Sequence, residues 1–314
     1  MNNSPLVSIC IPLYNAEQYI ADVIHKLQQQ SYANIEIVIV DDHSTDNSLN
    51  IAKMYESDSV RVFTNPRKGG NAARNYAFSM SRGEYIKFLD ADDYCSDNMI
   101  KAQVERLQAD GTELSLAFSP VRMLHPGDVY FDPPRTLDYD HTPGIELVYS
   151  ILEGKGWNCP HCHLMHRNLV TKSGGWDETI LKNQDGEFFA RVAEAADSAL
   201  SVPNEYAVWR QTGVGVSTKL SVAAHESVLR SFDTIATMLL AYRDDKQTRG
   251  LCASRLGQYV YVNYPSCKPV MAEIYRQLGE LGEPFQLPRR RVLKALSALF
   301  GWRLALRMIR KFKL

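Results

Sequence analysis

No apolar run reaches the 18 residues that a bilayer-spanning helix needs, so no membrane-spanning segment is expected. The first residues, MNNSPLVSICIPLYN, have no basic stretch ahead of the apolar one, so no signal peptide is expected either. Cysteine is sparse and scattered. The six at positions 10, 95, 159, 162, 252 and 267 form no disulfide framework and suit reduced thiols in a cytosolic protein. A single CxxC occurs, Cys159-Pro160-His161-Cys162. Even with His163 and His166 nearby, its spacing completes no four-ligand zinc site. Internal repeats and low-complexity tracts are absent.

An excess of charge of either sign is also missing, with 35 Lys/Arg against 36 Asp/Glu. The balance is uneven along the chain. Nine Lys/Arg and no acid fall between Arg289 and Leu314; setting those nine aside leaves 26 basic against 36 acidic residues, or −10, for residues 1–288. An acidic body of that kind repels nucleic acid, so a nucleic-acid partner is not expected.

What is present is an alternation of strand and helix signals. Leu6–Leu13, Ile35–Val40, Val60–Phe63 and Glu84–Leu89 read as buried strands. Ala16–Gln30, Ser48–Glu56 and Asn71–Met80 read as the helices between them, the second capped by Ser44 or Asp46. This pattern predicts a mostly parallel sheet flanked by helices, which binds ligands at the carboxyl ends of its strands. Pro12, Tyr14 and Asn15 follow the first strand, Asp41 and Asp42 the second, and Asp90, Ala91, Asp92 and Asp93 the fourth. All should share one rim. Further on, Asp97–Ala109 reads as helix, Leu114–Leu124 as strand, 125–144 as loop, Gly144–Glu153 as helix, Asn158–Leu169 as strand, Asp185–Ala195 as helix and Tyr206–Arg210 as strand. From about Val222 the pattern is helical.

The segments VSICIPLYNAEQYI, IVIVDDHSTDNS, KGGNAARNYA, YIKFLDADD and NQDGEFFARV, in this order, resemble an inverting family 2 glycosyltransferase of the bacterial surface-polysaccharide type. The resemblance covers roughly residues 5–217 and implies a GT-A, Rossmann-like nucleotide-sugar-binding and catalytic domain over 1–217. A helical C-terminal region over 218–314 lies beyond it. It implies that Asp90-Ala91-Asp92 is a DxD motif, with Asp90 toward the ribose and Asp92 on a Mn²⁺ or Mg²⁺ ion that bridges the diphosphate of a donor, expected to be a UDP-sugar. Hard oxygen ligands suit those ions. Asp93 would be a neighbouring acid or an alternative ligand. Pro12, Tyr14, Asn15, Asp41 and Asp42 would line the nucleoside, and Arg74 and Arg210 would meet the diphosphate. Arg210 belongs to a loop with Gly213, Gly215 and Ser217 in which the family's usual His is missing. Gln184-Asp185-Gly186-Glu187 resembles the motif that supplies the general base, with Asp185 the expected base and Glu187 the runner-up.

Blander readings stand beside these. DADD can be a solvated turn capping the next helix, Asp42 an N-cap and Arg74 a surface charge. Asp185 and Glu187 can be acids at a helix N-terminus, where the dipole favours them. Trp157, Trp176 and His163 can line an acceptor or simply fill core. The tail alternates Leu, Trp and Phe with Arg303, Arg307, Arg310 and Lys311 on one helical face, which suits an anionic membrane surface or a packed helix. The expected location is therefore cytoplasmic, with peripheral attachment at the inner membrane face. The expected acceptor is a glycan or a lipid-linked saccharide. A nucleotidyltransferase and a non-catalytic nucleotide-binding protein are the rival classes.

Overall fold

Val7–Leu13 (β1) is apolar at almost every position and buried on both faces, as a central parallel strand must be. It is followed by Ile20–Gln28 (α1), whose Ile20, Val23, Ile24 and Leu27 form the buried stripe. Next come Ile35–Asp41 (β2), Ser48–Lys53 (α2), Val60–Thr64 (β3), Gly70–Met80 (α3) and Tyr85–Phe88 (β4). The computed structural model describes residues 4–127, 129–132, 137–156, 159–212, 221–288 and 290–312. Trp157, Gly213, Gly215, Ser217, Arg289 and Lys313 lie outside them. Two compact units divide the chain: Met1–Glu178 with Gln184–Gly215, and Thr179–Asn183 with Val216–Leu314.

The first unit continues through Tyr94–Cys95 (β5), Met99–Asp110 (α4), Ser115–Phe118 (β6), Val121–His125 (β7) and Val129–Phe131 (β8). Then follow Glu146–Leu152 (α5), His163–His166 (β9), Arg167–Lys172 (α6), Gln184–Ala195 (α7), Ser198–Ser201 (β10) and Ala207–Arg210 (β11). Seven strands form the main sheet in the order β10-β6-β9-β4-β1-β2-β3. All its pairs are parallel except those of β9, which runs antiparallel to β4 and β6. Chain order reverses at β1, with β2 on one side and β4 on the other. The carboxyl ends of β1 and β4 therefore flank a topological switch point, where such sheets bind ligands. A smaller sheet has the order β5-β11-β7-β8.

Two predicted strands are corrected. Leu114–Leu124 is two strands in two different sheets, because Pro120 cannot donate to a ladder and the chain turns there. Asn158–Leu169 contains only the short β9, preceded by a 3-10 helix at Pro160–Cys162 and followed directly by α6. The loop expected over 125–144 contains β8.

The second unit is helical: Val222–Tyr242 (α8), Lys246–Asn263 (α9), Met271–Leu281 (α10), Arg291–Phe300 (α11) and Trp302–Phe312 (α12). The Ser221 hydroxyl caps α8 by accepting from Ala224 N at 3.2 Å, and Asp245 caps α9 by accepting from Thr248 N at 2.8 Å. Among the described residues, no helix is long and apolar enough to cross a membrane.

Candidate active site

The loops after β1 and β2 are cross-braced by their own polar residues. Asn15, at φ 48°, accepts through Oδ1 from Thr45 N at 2.8 Å and donates its N–H to Ser44 Oγ at 3.1 Å. Asp46 accepts from Ser48 N at 3.0 Å and Glu17 N at 3.1 Å, so it braces both loops as well as the start of α2. Asp41 folds back on its own turn and accepts from Ser44 N at 3.2 Å. Asp42 is buried, and its Oδ1 accepts from Asn65 Nδ2 at 2.7 Å and Gly69 N at 2.8 Å. The Gly69 amide is thus engaged by Asp42. Pro12 is half-buried at the strand end, and Tyr14 is 54% exposed above it.

One turn into α3, Arg74 is buried and acts as a hub. Its Nη2 donates to Asp90 Oδ1 at 2.7 Å, and its Nη1 to Asn71 Oδ1 at 3.1 Å and Gln184 Oε1 at 3.4 Å. The guanidinium lies 4.6 Å from the Trp176 ring centroid, a cation–π contact. Trp176 in turn stacks on Phe188 of α7, with centroids 4.1 Å apart. Arg74 therefore joins the acidic end of β4 to the start of α7, two motifs separated by about a hundred residues in the chain. This excludes the surface-charge reading of Arg74.

The acids are poised differently from one another. Burial pushes the Asp92 carboxyl up to about 6, and the neighbouring charge of Asp90 adds to this. Asp185, near the start of α7, is half-buried. Burial raises it to about 6, Arg74 pulls it down and Asp90 raises it. Ala91 is buried between the two DxD acids.

Asp93 is not brought to them. It is only 2% exposed, its Oδ1 accepts from Arg210 N at 2.7 Å, and its Oδ2 faces His161 Nδ1 at 3.4 Å. Its assignment as a metal ligand is corrected, because both oxygens point into the protein. Glu187 is corrected as runner-up base for the same kind of reason. It is buried in a two-pronged pair with Arg191, at 2.5 and 2.8 Å. Arg210 is held by Asp22 at 2.8 Å, between the rings of Tyr19 and Tyr94. His163 stacks on Phe189 at 4.0 Å and is fully buried, so it and Trp176 are core rather than an acceptor wall.

Asp22 and the Gln184 side chain are contributions that sequence patterns do not reveal, and Lys87 is one that the sequence reading passed over. Lys87 is a fully buried cation in the middle of β4, donating to Gln103 Oε1 and His163 O, both at 2.9 Å. Among the described residues, no three His, Cys, Asp or Glu side chains are arranged to hold a metal by themselves. That fits a Mn²⁺ or Mg²⁺ carried in with substrate phosphates, since such ions are usually held by one or two carboxylates plus phosphate and water. Asp92 and Asp90, the latter bonded by Arg74 through Oδ1, are the carboxylates that could form such a pair.

The family model for glycosyl transferase family 2 matches residues 8–174. The chain belongs to that family. Family 2 relatives include glycosyltransferase GlyG of Streptococcus pneumoniae, 42% identical over 108 residues, covering 33% of this chain and 36% of the relative. Another is the putative teichuronic acid biosynthesis glycosyltransferase TuaG of Bacillus subtilis, 36% identical over 148 residues, covering 44% of this chain and 57% of the relative. The match thus spans between about a third and just over half of these relatives' length. Among solved structures, S. aureus TarS 1–349 in complex with UDP-GlcNAc superposes with a TM-score of 0.69 at 18% identity, covering 98% of this chain and 92% of that one. The fold is GT-A: a mostly parallel sheet flanked by helices, with a helical C-terminal region.

Proposed function

We propose that this family 2 protein is an inverting glycosyltransferase that moves a sugar from a UDP-sugar onto a glycan or lipid-linked acceptor in bacterial surface polysaccharide assembly. The observation that carries the reading is the Arg74 hub, which joins Asp90, beside Asp92, to the helix bearing Asp185 at the switch point of the sheet. The relative named for teichuronic acid biosynthesis and the similar fold of TarS, solved with UDP-GlcNAc, support the substrate class.

In this reading Pro12, Tyr14, Asn15, Asp41 and Asp42 form the nucleoside side. Asp92 and Asp90 would hold a divalent ion, which when bound would neutralise charge on the departing diphosphate. Arg210 meets the same diphosphate from β11. Asp185 accepts the proton of the acceptor hydroxyl as that oxygen bonds to the anomeric carbon and the bond to UDP breaks. Attack opposite the leaving group inverts the centre, and no enzyme nucleophile is needed. The carboxyl, raised to about 6, is a base near neutral pH while keeping useful proton affinity.

The C-terminal hairpin suits an anionic lipid surface at the inner face of the membrane. Leu299 is 74% and Phe300 51% exposed at the Gly301 corner, and Arg303, Arg307 and Lys311 are exposed on α12 while Ala305, Leu306 and Ile309 face inward. Flotation with phosphatidylglycerol vesicles should carry the full chain and lose a Leu299→Glu, Phe300→Glu variant. Equal failure of both to float removes the membrane role.

The central test is a thermal-shift panel of nucleotide sugars with and without Mn²⁺. A shift with a UDP-sugar that needs Mn²⁺, absent in Asp92→Asn, is expected. Indifference to every nucleotide sugar, or release of pyrophosphate instead of UDP, overturns the reading.

A further inference from the structure

The acid left over at the rim has a job of its own. Asp93 follows the DxD motif directly and precedes β5, which pairs with β11 through Tyr94↔Val208 and Cys95↔Ala207. Its Oδ1 accepts the Arg210 amide at 2.7 Å, so its side chain continues the β5–β11 pairing past the point where the backbone leaves for the acidic turn. Its Oδ2 lies 3.4 Å from His161 Nδ1. The other ring nitrogen of His161, Nε2, is 3.0 Å from the Val208 carbonyl. A carbonyl only accepts, so Nε2 donates to it. Asp93 is thus tied to β11 on both sides, directly through the Arg210 amide and indirectly through the His161 ring that rests on Val208.

The turn that carries His161 is itself fixed from behind. Lys87 Nζ donates to the His163 carbonyl at 2.9 Å, and Gln103 Nε2 donates to the Cys162 carbonyl at 2.7 Å. His161 is therefore held in place independently of Asp93.

We propose that Asp93 and His161 are positioning residues, a latch of side-chain contacts that locks the acidic turn after β4 to β11 and so aims Asp92 and Arg210 at one diphosphate. The proposal deepens the reading above and rests on Asp92 holding the metal. The latch itself is a property of the metal-free protein.

Two measurements on the full chain test it. In metal-free protein, hydrogen exchange of the 207–212 segment reads the Arg210 amide. Asp93→Ala should speed its exchange, while Asp93→Asn, whose amide can accept from Arg210 and donate to His161 Nδ1, should leave it protected. With UDP present, the Mn²⁺ concentration giving half-maximal thermal stabilisation should rise about 10- to 100-fold in Asp93→Ala and in His161→Ala, the usual cost of losing a partner behind a metal ligand. The double variant should fall no further than the worse single one, since the two act as a unit. Asp93→Asn should stay within about threefold of the parent, because its hydrogen bonds persist. If Asp93→Asn loses Mn²⁺-dependent UDP binding as Asp92→Asn does, Asp93 is a ligand and the latch is wrong. If Asp93→Ala leaves Arg210 exchange unchanged, it is also wrong. Failure of the parent to bind UDP with Mn²⁺ would sink the metal reading, while the exchange result would still decide the latch.

Discussion

The two edges of the seven-stranded sheet treat buried acids in opposite ways. At the amino-terminal edge, Glu36 of β2 is 1% exposed and fully answered. It accepts from Ser8 Oγ at 2.6 Å, from Arg61 Nη1 at 3.2 Å, and from the Arg82 backbone and side chain at 2.5 and 2.9 Å. Burial alone would raise its carboxyl, but the hydrogen bonds from Ser8 and Arg82 outweigh it and hold the group below its ordinary value. The chain approaches so closely here that a side chain at Gly83 would collide with Ser8 Oγ and with the backbone of Ser8 and Leu6. At the carboxyl edge, Asp92 and Asp185 are raised to about 6, with too little cation nearby to answer them. A satisfied acid is structure. An acid left wanting a cation or a proton at a ligand-binding edge is a candidate functional site.

The largest effects should come from cancelling the unsatisfied edge. Asp92→Asn should lower sugar transfer about 10³-fold or more, the scale of losing several kcal/mol of charge stabilisation. Steady-state assays with UDP detection check this, and a variant of near-parental rate would mean the ion is held elsewhere. Next, Asp185→Asn should lower kcat about 10²- to 10⁴-fold, as loss of a general base does. Its Mn²⁺-dependent binding of UDP should survive, and full activity in this variant would refute the base assignment.

A smaller effect is the pH profile. Because Asp185 must be deprotonated to act, kcat should fall about tenfold per pH unit below about 6. Arg74 pulls that value down, so Arg74→Met should move the acidic limb upward in pH as well as slowing transfer. A limb that stays put on loss of Arg74 would separate Asp185 from the hub.

The two edges also differ in how far sequence alone reveals them. Strands β1 to β4 are legible because their cores are continuous apolar runs, and the acids after them stand out by contrast. The direction those acids face is not legible. Asp93 looks like its neighbours in the chain, yet turns inward because His161, 68 positions away, comes to meet it. Arg210 finds Asp22 at a separation of 188 residues. Glu187 is different: Arg191 stands four residues on, the spacing of a helical ion pair, and that signal was available to argue against a base. Lys87 offered a hint too, as a lone cation inside a four-residue buried strand.

The smallest effect on activity should come from the satisfied edge. Glu36→Gln keeps the shape but removes the charge that Arg61 and Arg82 are arranged around, at a cost of about 1–3 kcal/mol of stability. Transfer should be unchanged at a temperature where the variant is folded. The pH dependence has a definite sign. The folded carboxyl titrates below its ordinary 4.5, so the stability it contributes is fully present above that value and is lost as pH falls through the folded pKa. The gap between parent and Glu36→Gln in urea unfolding should therefore be widest near neutral pH and close as the solution is acidified below about 4.5. A gap that widened in acid would mean that Glu36 is strained rather than satisfied, and the contrast between the two edges would lose its physical basis.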